Sequence, residues 1–131
     1  MIIYKVEITI EAAIELEWFD WMKRVHVPDV VRTGCFSECR IYKLIDSAAA
    51  DPTYVMQYHC QSLEEYHRYR DSFAPALQKE HSDRFAGRFR GARQLLEEVA
   101  QATAANAEPG RARVGMRTDF AAGSTLKMSP T

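Results

Sequence analysis

CFSECRIYKLIDSAAADPTYVMQYHCQ, residues 35–61, decides the fold. Cys35 to Asp46 is dense in branched and aromatic residues and reads as a strand. Ser47 to Pro52 is small and polar and ends on a proline, so it reads as a turn. Thr53 to Gln61 alternates again and reads as another strand. Two strands joined in this way form an antiparallel hairpin. A hairpin alone is marginal in water and needs further strands or helices to pack on.

Both flanks supply them. Downstream, Ser62-Leu-Glu-Glu65 is a capping box, the clearest local signal in the chain. It opens a helix with Tyr66, Tyr69, Phe73 and Leu77 on one side. Pro75 lies inside that pattern and predicts a kink, or a restart with Pro75 in the first turn of a second segment. The helix ends near Gly87, and Arg88 to Val99 reads as a strand. Upstream, Met1 to Ile10 is a strand whose residues Ile2, Tyr4, Val6, Ile8 and Ile10 face the core, against Ile3, Lys5, Glu7 and Thr9. Glu11 to about His26 is a helix with an apolar stripe of Ile14, Trp18, Trp21, Met22 and Val25. Acidic residues come early in it and Lys23 and Arg24 late, as the helix dipole favours. Pro28 is expected to stop this helix, and Gly34 to end the following loop.

The order is β-α-β-β-α-β: an α+β, ferredoxin-like domain over residues 1–99, with two helices on one face of a four-stranded antiparallel sheet. From Ala100 the composition shifts to Ala, Gly, Ser, Thr and Pro. Residues 100–131 are expected to be a flexible tail, or to wrap a partner subunit with Phe120 as an anchor.

The bulk properties fit one domain. The chain has 131 residues, 47% hydrophobic and 27% charged, with formal net charge -1. That balance gives no global field for nucleic acid or an anionic membrane. Apolar runs are too short to span a bilayer, and no secretory signal is evident. Of the three cysteines, Cys35 and Cys39 would lie roughly 13 Å apart along a strand, beyond disulfide reach. Reduced thiols and a cytoplasmic protein are expected.

The second face of the sheet has no helix to cover it. It offers Ile3, Lys5, Glu7 and Thr9, then Val55, Gln57, His59 and Gln61. The second strand adds either Phe36, Glu38, Arg40, Tyr42 and Leu44 or the opposite set, and the first is favoured because it mixes charge with aromatics. Such a surface is costly to expose. Two subunits packed sheet to sheet would cover its apolar part and leave the polar residues lining a pocket between them.

The run Trp18-Phe-Asp-Trp21-Met22-Lys-Arg-Val-His26-Val-Pro28 resembles the first helix of dimeric α/β-barrel proteins. It is most similar to a bacterial domain-of-unknown-function family of that superfamily, and more distantly to EthD-like and antibiotic-biosynthesis-monooxygenase-like domains. Thr33-Gly34-Cys35-Phe36, Tyr54 to Tyr58, and Phe73-Ala-Pro75-Ala-Leu77 through His81 to Phe85 share the resemblance. It implies a homodimer, and a fold that hosts cofactor-free oxygenases, isomerases, cyclases, haem enzymes and proteins without activity.

His26 reads as a general acid or base at the mouth of a pocket, as a similar His-x-Pro in EthD-like domains implies, or as a helix C-terminal cap. His59 points to the uncovered face, as a catalytic group or an interface histidine. Arg40 and Glu38 would bind an anionic or carbonyl group, or bridge the dimer. Tyr42 and Gln57 share that face. Trp18 and Trp21 would wall an aromatic ligand or simply fill the core. Topology is expected to bring His67 near His26 and to place His81 at the far end. A His26/His67 metal pair lacks a third ligand, so no metal and no cofactor are expected. FAGRFRGAR is locally basic, but YVMQYHC lacks the pattern of RNA-recognition strands, so nucleic acid is not expected.

Two functions remain open. One is a homodimeric protein with a small-molecule pocket, in the form of a cofactor-free isomerase-like or monooxygenase-like enzyme with His26 and His59 as acid and base. The other is a non-catalytic binding or regulatory dimer.

Overall fold

A computed structural model of the chain describes residues 1–106. Residues Met1–Glu98 form one unit. In it, β1 (Ile2–Ile10) leads through a short 3-10 turn to α1 (Glu15–Trp21), a π-helical turn at Met22–His26 and α2 (Val27–Val31). Then come β2 (Glu38–Lys43), β3 (Thr53–Cys60), α3 (Leu63–Ser72), α4 (Ala74–Arg84) and β4 (Phe89–Glu97). The sheet is open, its strand order is β2-β3-β1-β4, and every neighbouring pair is antiparallel. This is the expected ferredoxin-like arrangement. Beyond Glu98 the described part holds a 3-10 turn at Ala104–Asn106. The expected tail, with Phe120, lies outside the described residues from 107 onward. Among the described residues no helix is long and apolar enough to cross a membrane.

The alternation of β1 is realised: Tyr4, Ile8 and Ile10 are buried, and Ile2 and Val6 pack against them. Ser62 caps α3 by accepting a hydrogen bond from the Glu65 backbone N–H at 3.2 Å. The reciprocal half of the capping box is not made, because Glu65 accepts from Arg68 instead. The helix breaks at Phe73 and restarts with Pro75 in the first turn of α4, where a missing N–H costs nothing. Gly87 takes a φ of +75° between α4 and β4, which its lack of Cβ permits.

The structure corrects the first helix. Pro28 does not stop it; the helical path continues to Val31. The Val27 N–H reaches back five residues to the Met22 carbonyl, so the turn before Pro28 is widened. A regular helix would drive the proline ring into the carbonyl four residues earlier, and the wider turn accommodates it. The widened turn also rotates the residues around it. Val25, expected in the apolar stripe, is exposed, whereas His26, Val27 and Val30 are buried.

The second correction is at β2, which is shorter than the expected 35–46. Cys35 and Phe36 leave the strand to enter the core. Phe36 is 5% exposed and stacks 5.9 Å from Tyr4, with Tyr69 at 4.9 Å and Tyr58 at 5.2 Å. It therefore does not belong to the uncovered face. Glu38, Arg40 and Tyr42 do, since they pair with His59, Gln57 and Val55.

Because Phe36 anchors this aromatic cluster, Phe36→Ala is expected to lower unfolding stability by about 3–5 kcal/mol in a denaturant titration. A residue on the uncovered face would leave the unfolding midpoint nearly unchanged.

Candidate functional site

A cavity lies between the sheet and its helices, on the side opposite the uncovered face. Its volume is about 140 Å³ and it is partly open to solvent. The sheet contributes Tyr4, Val6 and Ile8 from β1, Met56 and Tyr58 from β3, and Gly91 and Arg93 from β4. The helices contribute Met22, His26, Tyr69, Gln78 and His81. The opening exists because β4 is an edge strand that the two helical arms do not fully cover. Gly91 opposite Ile8 leaves room on that edge, for a Cβ there would meet the Glu7 carbonyl at 3.2 Å.

Two histidines meet in this cavity. His26 is 8% exposed, stacks on Trp21 at 5.3 Å and lies 5.7 Å, ring to ring, from His81. The π-turn is what turns His26 inward. Its Nδ1 is buried and has no hydrogen-bond partner among the described residues. His81 is 6% exposed, and its Nε2 accepts a hydrogen bond from Trp18 Nε1 at 2.9 Å. Indole N–H groups only donate, so the neutral His81 ring carries its proton on Nδ1. The two rings therefore differ: the Trp18 bond fixes His81 as a donor toward the cavity, whereas no partner among the described residues fixes which nitrogen of neutral His26 accepts. Burial holds His26 well below the usual histidine range, at about 4, with Asp29 opposing. Burial also lowers His81 to about 4, aided by His26 and Arg93. Both are neutral at pH 7.

Hydroxyls surround them. Burial raises the pKa of Tyr4, while Arg93 and Gln78 beside its hydroxyl pull the other way. Burial likewise raises Tyr69 and Tyr58, which stay protonated. Burial pushes the Cys39 thiol up to about 12, so it is no nucleophile at neutral pH.

The candidate residues divide between the two sides of the sheet. His26 lines the cavity. Trp18 and Trp21 stand behind it, Trp18 orienting His81 and Trp21 stacking on His26. His59, Gln57, Glu38, Arg40 and Tyr42 are on the other side. There Arg40 Nε donates to Glu38 Oε2 at 2.8 Å, and His59 Nε2 lies 3.9 Å from the same oxygen. The expected neighbour of His26 is corrected as well: it is His81, not His67. Because α4 restarts after Phe73, its own axis brings His81 under α1. Among the described residues no three metal-ligating side chains come together.

Sequence reasoning missed Tyr4, Tyr69, Gln78, His81 and Arg93 as a group. A signal existed for two of them. Arg93 sits between Gly91 and Leu95 on the core-facing register of β4, where an apolar residue is the norm. His81 falls four residues from Leu77 and from Phe85, at a core position of α4.

A family described as a domain of unknown function, DUF4286, matches residues 1–99, and the chain belongs to it. No curated protein matches the sequence. Solved structures share the fold. An ethyl tert-butyl ether D (EthD) family protein from Bacillus halodurans is 12% identical, with a TM-score of 0.55, over 76% of this chain and 100% of its own. SnoaB, a cofactor-independent oxygenase from Streptomyces nogalater, is 16% identical, with a TM-score of 0.58, over 79% of this chain and 95% of its own. A dimeric ferredoxin-like protein from an uncultured marine organism is 14% identical, with a TM-score of 0.58, over 79% of this chain and 99% of its own.

The buried imidazoles set a pH dependence. Unfolded, each histidine binds its proton near pH 6.5; folded, only near pH 4. Between those values the unfolded chain holds more protons, so stability is full above about 6.5 and falls as pH drops toward 4. The loss for the pair is on the order of a few kcal/mol, measured by urea titration at several pH values. His26→Gln with His81→Gln should flatten that slope. Trp18→Phe leaves His81 Nε2 buried without a donor. It should cost about 1–3 kcal/mol and raise the His81 pKa in an NMR titration.

Proposed function

We propose that this DUF4286 protein is a homodimeric enzyme that performs acid–base chemistry on a small molecule with its own side chains. One observation carries the reading: one cavity holds two neutral histidines, of which His81 is committed to donating and His26 is committed to no partner among the described residues. His26 is the base. As a neutral imidazole it can take a proton from a carbon or oxygen of the substrate. His81, held by Trp18, donates from Nδ1 to the oxygen on which charge develops. Apolar walls from Ile8, Met22 and Met56 lower the polarity around both groups and strengthen their interactions. The fold shared with a cofactor-independent oxygenase supports chemistry of this type.

The uncovered sheet face is the dimer surface in this reading. Leu96 and Tyr42 are each more than two-fifths exposed there, beside Ile3 and Val55. Arg40 holds Glu38 within the face, and His59 lies beside the same carboxylate. We therefore assign His59, Gln57, Glu38, Arg40 and Tyr42 to the subunit interface rather than to the reacting centre. The fold shared with a dimeric ferredoxin-like protein supports the assignment.

The test is proton exchange. Small aryl and cyclic ketones are incubated with the protein in D2O, and loss of the α-proton signal is tracked by NMR. Exchange above background is expected, and His26→Gln should slow it by about 10²–10⁴-fold. His59→Gln should leave exchange intact and weaken the dimer in native mass spectrometry. No exchange with any ketone removes the acid–base reading, and a monomer at every concentration removes the interface.

A further inference from the structure

The cavity has a sign. Its one full charge is positive, the Arg93 guanidinium, and the hydroxyls of Tyr4 and Tyr69, the Gln78 amide and the free N–H of His81 can all donate beside it. No Asp or Glu is among the described residues that line it. Yet residues 1–99 as a whole carry 16 acidic side chains against 13 basic ones. A cation in a carboxylate-free cavity of an acidic domain is not a by-product of composition.

Arg93 makes no ion pair with the described residues, whereas Arg40, Arg68, Arg70 and Arg88 each hold a carboxylate. It stands on the core-facing side of β4, opposite Val6, at the open edge of the cavity. Arg93 and Gln78 flank the Tyr4 hydroxyl, so three donors converge at one end. The other end is apolar, with Ile8, Met22, Met56 and Phe89. At about 140 Å³, the space matches one six-membered ring. The buried His26 Nδ1 adds a polar atom without a partner among the described residues.

Resting on the reading that this cavity is a small-molecule site, we infer that its ligand is a planar, single-ring monoanion whose charged oxygen binds Arg93, Tyr4 and Gln78 at the rim. The ring lies on the apolar wall toward Met22 and Met56. Because Arg93 is solvent-exposed, the anion keeps part of its hydration, and the cost of burying charge stays small. A carboxylate, a phenolate and an enolate share this chemistry. A cationic ligand, or a hydrocarbon without an acceptor oxygen, does not, since it would leave the donor cluster unmatched.

Three single-ring probes of similar size and different charge decide it: benzoate, benzyl alcohol and benzylamine. Each is titrated into the full chain near neutral pH while amide signals of Gly91, His81 and their neighbours are recorded by NMR. Benzoate is expected to shift those signals and to bind at least about tenfold more tightly than the other two. Arg93→Gln should reduce benzoate to the level of the alcohol. Arg70→Gln, which removes a surface cation paired with Asp71, should change nothing. Equal binding of benzyl alcohol, or preference for benzylamine, overturns the anion assignment and leaves the cavity a small-molecule site. If no probe moves the cavity signals, the assignment falls together with the reading beneath it.

Discussion

A hydrogen bond between two side chains 63 residues apart organises this domain. Trp18 on α1 is fully buried and donates to His81 on α4. Its net worth is modest, on the order of 1 kcal/mol, but either partner left alone would be a buried polar group without a mate. The bond therefore ties the first helical arm to the second over the sheet. It also decides chemistry, because it selects the proton position on His81. Packing and protonation are set by the same contact.

The two faces of the sheet then carry different work. On the helix side, aromatic rings fill one end: Tyr4, Phe36, Tyr58 and Tyr69 lie within 6 Å of one another in several pairs. Toward β4 that packing gives out, since an edge strand with Gly91 has too little side-chain volume to close the layer. The cavity is the result, and the polar residues collect at it. On the other face, charged side chains pair among themselves between apolar ones, which is how a half-buried sheet surface tolerates Glu, Arg and His.

The residues that mislead a sequence reading do so for identifiable reasons. Phe36 continues a strand-like alternation, yet the chain leaves the sheet before Glu38 and the ring turns to the core. Val25 fits a regular helical stripe, yet a five-residue turn ahead of Pro28 rotates it outward and His26 inward. Pro28 signals a helix end, but a wider turn answers the same steric demand. Chain topology suggests His67 as the neighbour of His26, yet the ring beside His26 is that of His81. The break at Phe73 gives α4 its own axis.

What the sequence by itself determined is local. Periodicities of two and of 3.6 identified the four strands and two helical arms, the Ser62 cap and an interruption at Pro75, kink or restart, and alternation assigned Tyr4 to the core and His59 to the uncovered face. Such features depend on neighbours a few positions away. The tertiary structure alone decided that a cavity lies under the helices, that His26 and His81 share it, and that Arg93 reaches it from an edge strand. Those outcomes depend on how separate elements dock and on one widened turn. Contacts across 63 residues and a one-residue change of helical phase leave no mark on local periodicity.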